Sequence, residues 1–580
     1  MRRSVRTVGT LVGALATTLA LLLVTACVPA RSTTSLTYVE SGMFNSLYPP
    51  LAGYYPNGGV LNNIADRLLW QDPQTLELHP WVAAELPEIN EQATEFTFRL
   101  RPGITYSDGS ALDAHNVVKN YTLYAQGDPA RKLAPSEQLS GFLSAEAVDD
   151  LTVRFRFDSP APDFPQATST MNQALLSSDT LDLDSTGFGP GNATAISGSG
   201  PFSVEEEELG TDLVLRARED YAWAPPARAD HQGPAEIERV HITLAAEDSV
   251  RTGALTSGQA EIIRQVEAPD ERHLHARGLE VYSAPTNGVN NAFYFHFRHP
   301  LLSDRRVRQA LIHGIDRSLI LRTLFSDSYP EATSPLAASA QGYRDQSEHY
   351  VYDPELSRRL LDEAGWVPGE DGIRVKDGQR LSLTFNEAVP QPRSKQLVTK
   401  AQEMLRDLGV EIHLHPGDRA AQQAAMKDQD VVQVRHSMVG RASLDVLPNW
   451  VDGAGRNSLL NTAGGTDDAP VGDPVLQARV EEFSTLVDPA ARERAVGDVQ
   501  DYLSEQAYVL PLFEEPQVYG LNPRVMGFST EAIGRPSFYA VSLADVAVGK
   551  AGKAGLEAGT EADTGEATKA GPAATPKEEQ

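Results

Sequence analysis

The chain carries one cysteine in 580 residues, so an intrachain disulfide is ruled out and the fold must be held by burial. It also lacks cationic surplus: 50 Lys and Arg stand against 79 Asp and Glu, a net charge of −29. No basic cluster occurs beyond the first few residues, so a phosphate backbone would be repelled and nucleic acid is not an expected partner. There is no HExxH, no Walker loop and no GxGxxG between a strand and a helix. Gly198-Ser199-Gly200 is not a nucleophile elbow, because position 197 is Ser and the segment from Gly187 to Gly200 is loop-forming in composition. His413 and His415, with Glu411, fall on one face of a strand, the ordinary pattern of a wet sheet surface, and His296 and His299 carry no stronger signal. Neither a metal nor a cofactor is expected, and no catalytic constellation can be assembled.

Only one long apolar run is present. Arg2, Arg3 and Arg6 precede an uncharged stretch from Val8 to Ala26, the layout of an export signal. Val24-Thr25-Ala26-Cys27 resembles a bacterial lipobox, and that resemblance implies a diacylglycerol on Cys27 after residues 1–26 are removed. The alternative, a transmembrane anchor, fits the length of the run but leaves the position of the single cysteine to chance. Cleavage deletes three arginines and no acid, taking the net charge from −29 to −32. Two or three acyl chains then hold the body at the membrane, each buried methylene contributing about 0.8 kcal/mol.

A chain this long divides into two or three domains. A first strand starts at Leu36, and Asn62 to Trp70 is expected as a short helix entering a turn at Asp72-Pro73. Phe96, Phe98 and Leu100 alternate as a strand, Asp113 caps a helix, and Asp149-Asp150 turns the chain before Val153, Phe155 and Phe157. Ile237 to Leu244, Arg251 to Leu255 and Glu261 to Ile263 form a βαβ unit, which predicts parallel pairing. Phe293, Phe295 and Phe297 alternate as a strand that feeds a helix capped by Ser303 or Asp304; Asp316 caps the next. Asp353-Pro354 and Asp488-Pro489 open further helices, and Asp377-Gly378 closes a hairpin between Ile373-Val375 and Leu381-Phe385. From about Ala547 the chain is Ala, Gly, Glu, Lys and Thr without periodicity, a disordered composition.

The string Pro-Leu-Leu-Ser-Asp-Arg-Arg-Val-Arg-Gln-Ala-Leu-Ile-His-Gly-Ile-Asp-Arg, residues 300–317, resembles the signature of the family 5 solute-binding proteins of ABC importers. "FTFRLRPGITYSDG", "GSGPF" and "YVLPLFEEPQVYGLNPRVMGF" resemble further family segments, and the likeness covers roughly Leu36 to Val546. It implies an α/β, two-lobed periplasmic-binding-protein fold of type II, with an extra subdomain in lobe one and mixed sheets joined by a two-linker hinge. The expected units are a signal peptide at 1–27; a lobe-one core from 32–75, 190–290 and 507–546; an extra subdomain at 76–189; lobe two at 291–506; and a tail at 547–580.

The resemblance further implies an extracytoplasmic, lipid-anchored, monomeric receptor that passes a small solute, peptide or peptide-like, to an ABC permease. A surface-tethered hydrolase, an adhesion module and a receptor for a non-peptide anion remain as alternatives. Ligand contacts are expected where both lobes meet, from loops rich in Tyr, Trp, Asn and Arg. The candidates are Tyr54, Tyr55 and Asn57 after the first strand, Asn287 and Asn290 before the crossing strand, and Arg435, Arg441 and Trp450 in lobe two. Peptide-binding members carry a Trp-x-x-Asp pattern in that late segment, where this chain has "QVRHSMVGRASLDVL". An arginine fork there suits a carboxylate, phosphate or sulfonate.

Overall fold

The computed structural model describes residues 34–228, 231–388, 391, 393–453 and 472–544. The proposed signal and Cys27, and the tail from 547, lie outside the described residues. Two mixed sheets organise the rest. The larger has seven strands, in the order Glu280–Pro285, Pro516–Leu521, Ile262–Arg264, Ser35–Glu40, Arg239–Leu244, Asp212–Ala217 and Phe202–Glu208. The smaller has five, in the order Glu411–Leu414, Ser382–Phe385, Val434–Val439, Val289–Phe295 and Val509–Phe513. The chain is thus a mixed α/β, two-lobed molecule.

The expected βαβ unit forms around the helix Asp248–Thr256, but its strands do not pair with each other. Ser35–Glu40 lies between them and is parallel to both, with Tyr38 opposite Ile242 on one side and Ile262 on the other. A central strand buried on both faces gains more than an edge strand, and Leu36, Tyr38 and Val39 are all buried. The hairpin at Asp377-Gly378 also differs. Arg374–Lys376 pairs with Gln379–Arg380 in a small sheet, while Ser382–Phe385 joins the five-stranded one.

A four-stranded antiparallel sheet, from Glu88–Ile89, Glu95–Arg99, Thr152–Phe157 and Phe142–Asp149, packs against the helix Ala114–Gln126. Phe96, Phe98, Phe155 and Phe157 all turn their rings to Phe164, with centroids 4.8–6.1 Å apart, which binds the sheet to the following segment.

The aspartate caps form as the sequence predicts. Asp113, Asp316, Asp353 and Asp488 accept hydrogen bonds from Asn116, Leu319, Leu356 and Ala491 backbone amides at 2.8 Å. Between Ser303 and Asp304 the cap falls to Asp304, which accepts from the Arg306 amide at 2.9 Å.

The segment after the first strand departs from expectation. The helix spans Tyr55–Ile64 rather than Asn62 to Trp70, and Leu69–Gln71 is a strand. Pro-Asn-Gly-Gly has poor helix propensity, so sequence pattern assigns it to loop. Tertiary packing overrides this: a Cβ at Gly58 would lie 2.1 Å from Arg535 Nε, so the glycine admits the guanidinium against the helix.

The lobes are joined twice. The chain leaves the large sheet after Pro285 and enters the small one at Val289, then returns between Phe513 and Pro516. Only Thr286, Asn287, Gly288, Glu514 and Glu515 lie in these linkers. Asn287 adopts the left-handed region at φ 47°. A Cβ on Gly288 would sit 2.0 Å from the Val439 carbonyl, so the crossing strand can approach that closely only with glycine.

Candidate functional site

A cavity of about 770 Å³ opens beside the two linkers. Its walls come from the large sheet and the loops following it (Ser41, Arg264, Gln517), from the phenylalanine-rich subdomain and its connections (Glu137, Gln166, Ser169), and from the small-sheet lobe (Met438, Arg441, Trp450). The size is that of a small-solute pocket, and contributions from both lobes allow closure to complete it.

The floor is set by a buried ion pair. Arg264 Nε donates to both carboxylate oxygens of Glu40 at 2.8 Å, and Nη1 donates to Gln517 at 3.0 Å. Burial alone would raise the Glu40 carboxyl, but the guanidinium outweighs it and the group lies below its ordinary value. Tyr38 supports the same carboxylate, its hydroxyl donating at 2.7 Å. Arg264 also lies over the Tyr55 ring, 5.4 Å from its centroid, and Arg535 covers that ring at 4.8 Å. The Tyr55 hydroxyl donates to the Ile533 carbonyl, and burial raises its pKa.

Of the candidates named from sequence, Tyr54, Tyr55, Arg441 and Trp450 meet at this cavity. Tyr55 is held as described. Arg441 already faces a carboxylate, 2.6 Å from Glu137 across the lobes. Trp450, on the helix Val446–Val451, is 7% exposed and presents its ring edge to Tyr294.

Asn57, Asn287, Asn290 and Arg435 do not line the cavity. Asn57 is fully buried and braces a turn: its Oδ1 accepts from the Asn45 amide at 2.8 Å and its Nδ2 donates to the Leu51 carbonyl at 3.0 Å. Asn287 donates to the Ala532 carbonyl and Asn290 to the Ser334 carbonyl at 2.9 Å. Arg435 stands opposite Tyr294 in the small sheet, where burial pushes its guanidinium down to about 9.

Sequence reading passed over Arg67, Gln71, Arg264, Glu515, Gln517 and Arg535, all of which face the cavity. One signal was available for Glu515: two adjacent acids directly before Pro516, at the return crossing, are expensive to place there without a purpose. Its carboxylate accepts a hydrogen bond from Asn291 Nδ2 on the other crossing strand. Burial pushes its pKa up to about 7, the Asn291 bond opposing and the nearby Glu267 adding to the rise. The side chain keeps some accessible surface because it faces the cavity, while protein surrounds it elsewhere.

Among the described residues no group of three or more His, Cys, Asp or Glu side chains is arranged to hold a metal ion. His413 is exposed on its strand and Glu411 is shared between it and Arg380.

Known proteins are similar to this chain in sequence or in fold. Protein XP55 of Streptomyces lividans is 26% identical over 501 residues, 84% of each chain. The oligopeptide-binding protein OppA of Mycobacterium tuberculosis is 23% identical over 489 residues, 81% of this chain and 77% of its own. The crystal structure of NikA from Brucella suis in complex with Fe(III)-EDTA superposes with a TM-score of 0.72 at 20% identity, over 88% of this chain and all of that one. With residues 77–453 matching the family model for the middle region, the chain belongs to the bacterial extracellular solute-binding proteins, family 5.

Proposed function

We propose that this chain is a lipid-anchored, monomeric receptor on the outer face of the cell membrane. It captures a peptide or peptide-like solute in the interlobe cavity and delivers it to the permease of an ABC importer; it is not an enzyme. The observation that carries the reading is the cavity itself, lined from both lobes beside two linkers that are hydrogen-bonded to each other. Closure over a solute makes contacts from both sides only in the closed form, so ligand shifts the equilibrium by that difference in affinity. The name of the OppA relative supports a peptide; the lipobox resemblance supports the anchor. The working units keep the expected order but not the expected crossings: Val289–Phe295 and Val509–Phe513 both go with the small-sheet lobe, and the hinge lies at 286–288 and 514–515.

A receptor for a non-peptide anion is the second reading, favoured by four arginines on the cavity wall. Native mass spectrometry of the protein taken from its own host, followed by incubation with a peptide and metabolite pool, decides between the classes. An unchanged, stoichiometric ligand is the expected result, and its composition separates peptide from anion. Turnover without retention would replace the receptor by a tethered hydrolase.

A further inference from the structure

Two arginines reach from the small-sheet lobe to acids of the phenylalanine-rich subdomain. Arg492 is 3% exposed and is anchored within its own lobe: Nη1 donates to the Leu486 carbonyl at 3.0 Å, and the guanidinium lies 4.1 Å from the centroid of the Phe483 ring. Its Nη2 then crosses to the carboxylate of Asp163. Val487, in the turn before the same helix, packs against the lobe-one core. Asp163 is fixed in its turn, because it precedes Phe164, on whose ring Phe96, Phe98, Phe155 and Phe157 converge. Arg441 makes the second crossing, to Glu137 at 2.6 Å, and both of these side chains line the cavity.

A third acid stands among them. Asp445, the residue before the helix Val446–Val451, lies close enough to Asp163 to oppose its charge across the interface. Asp445, Arg492 and Arg441 thus face Asp163 from the small-sheet lobe, and Glu137 is the other charged member on the subdomain side. Three carboxylates meet two guanidiniums, which leaves one negative charge in excess where the lobes touch. An uncompensated charge in such a place is costly.

Resting on the receptor reading above, with its two closing lobes, we propose that this cluster is a proton-dependent latch between the phenylalanine-rich subdomain and the small-sheet lobe. With one acid protonated, two arginines stand against two carboxylates and the lobes are held together. Without that proton the surplus charge favours their separation. The latch borders the cavity at Arg441 and Glu137, so its state governs closure over the solute, although no group of the solute takes part in it.

Asp163 is the acid that takes the proton. Burial, and after it Asp445, raise its carboxyl up to about 7, against the pull of Arg492 and Arg441. Its side chain keeps 27% of its surface, which gives the proton a path from solvent. With the lobes apart Asp163 is hydrated and parted from Asp445, so its pKa returns to about 3.9. The closed form therefore binds the proton more tightly. Its advantage is complete below the open-form pKa and is lost as pH rises through the closed-form one, so the closing equilibrium falls by up to about thirtyfold between about pH 5.5 and about pH 8.5.

The test is small-angle scattering of the full chain without added ligand, at constant ionic strength, at about pH 5.5 and about pH 8.5. Wild type is expected to be compact at the lower pH and to have a larger radius of gyration at the higher. Asp163→Asn fixes the neutral form and Asp445→Asn leaves two balanced pairs, so both are expected to stay compact throughout. Arg492→Met removes one crossing and is expected to be expanded already at the lower pH. The wild-type comparison involves no variant, so it stands even where a variant folds poorly. A wild-type radius that does not change with pH would overturn the latch, and so would a change that persists in both asparagine variants. Neither result touches the receptor reading, which stands or falls on retention of an unchanged solute.

Discussion

Thr286 Oγ1 donates a 3.0 Å hydrogen bond to the carbonyl of Glu515, so the two linkers between the lobes are tied to one another at the point where they cross. The tie makes them move as one hinge rather than as two independent tethers. Farther out, contacts span the lobes. Arg393 pairs with Glu267, Ser326 and Ser328 donate to the carboxylate of Glu271 at 2.6 and 2.7 Å, and Arg492 reaches Asp163.

Thr286→Val keeps the shape of the side chain and removes the donor. We expect a stability loss of about 1 kcal/mol, the usual net value of one hydrogen bond, and a larger ligand-free radius of gyration by small-angle scattering. Arg393→Ala should enlarge the radius in the same way. Unchanged scattering in both would show that these contacts do not set the interlobe angle.

Removing one member of a buried ion pair costs more than the pair contributes, because the other charge is stranded. Glu40→Gln leaves Arg264 buried beneath the cavity without a countercharge, its remaining partners being neutral oxygens such as those of Gln517 and Ser41. The expected loss is about 3–5 kcal/mol by denaturant unfolding. Since the folded Glu40 carboxyl lies below its ordinary value, its contribution is present above the unfolded pKa and fades as pH falls through the folded one. Wild type and variant should therefore converge in acid.

The elements that the sequence makes legible are those fixed by local chemistry. Aspartates before helices become caps because their oxygens meet orphan amides one turn away, and Phe96, Phe98, Phe155 and Phe157 alternate in strands that bury one face, whereas the strand of Phe293 and Phe295 is buried on both and ends before Phe297. The helix Tyr55–Ile64 was hidden because its glycines look like loop until Arg535, nearly 500 residues later, packs against them. The site shows the same limit. Asn57 and Asn290 have the composition of ligand contacts but spend their amides on backbone, which only the folded chain reveals. Arg67 lay inside a segment that looked like scaffold, and its place on the cavity wall is a property of the folded chain.

Cys27→Ser removes the thioether acceptor and leaves the export signal intact. We expect precursor to accumulate uncleaved or to be released from the membrane, with loss of label from a palmitate analogue. Label retained by the serine variant would show that Cys27 is not the acceptor, and the apolar run before it would then be read as an anchor.

Asp66 offers a stability measurement independent of ligand. It is fully buried, accepts from Trp223 Nε1 at 2.8 Å, and burial pushes its pKa up to about 7 despite that bond and the nearby Arg67 and Arg218. An acid whose folded pKa exceeds its unfolded value, about 3.9, binds its proton more tightly when folded. Its stabilising contribution is complete below the unfolded pKa and is lost as pH rises toward the folded one. Asp66→Asn keeps an oxygen for Trp223 and abolishes the titration. The stability of wild type relative to this variant should fall between about pH 4 and pH 8, by at most about 4 kcal/mol for a shift of this size. Unfolding by denaturant across that range measures it. A difference that stays flat with pH would mean that Asp66 is ionised in the fold, with Arg67 and Arg218 holding its charge; a difference that grows with pH would mean that they outweigh burial altogether.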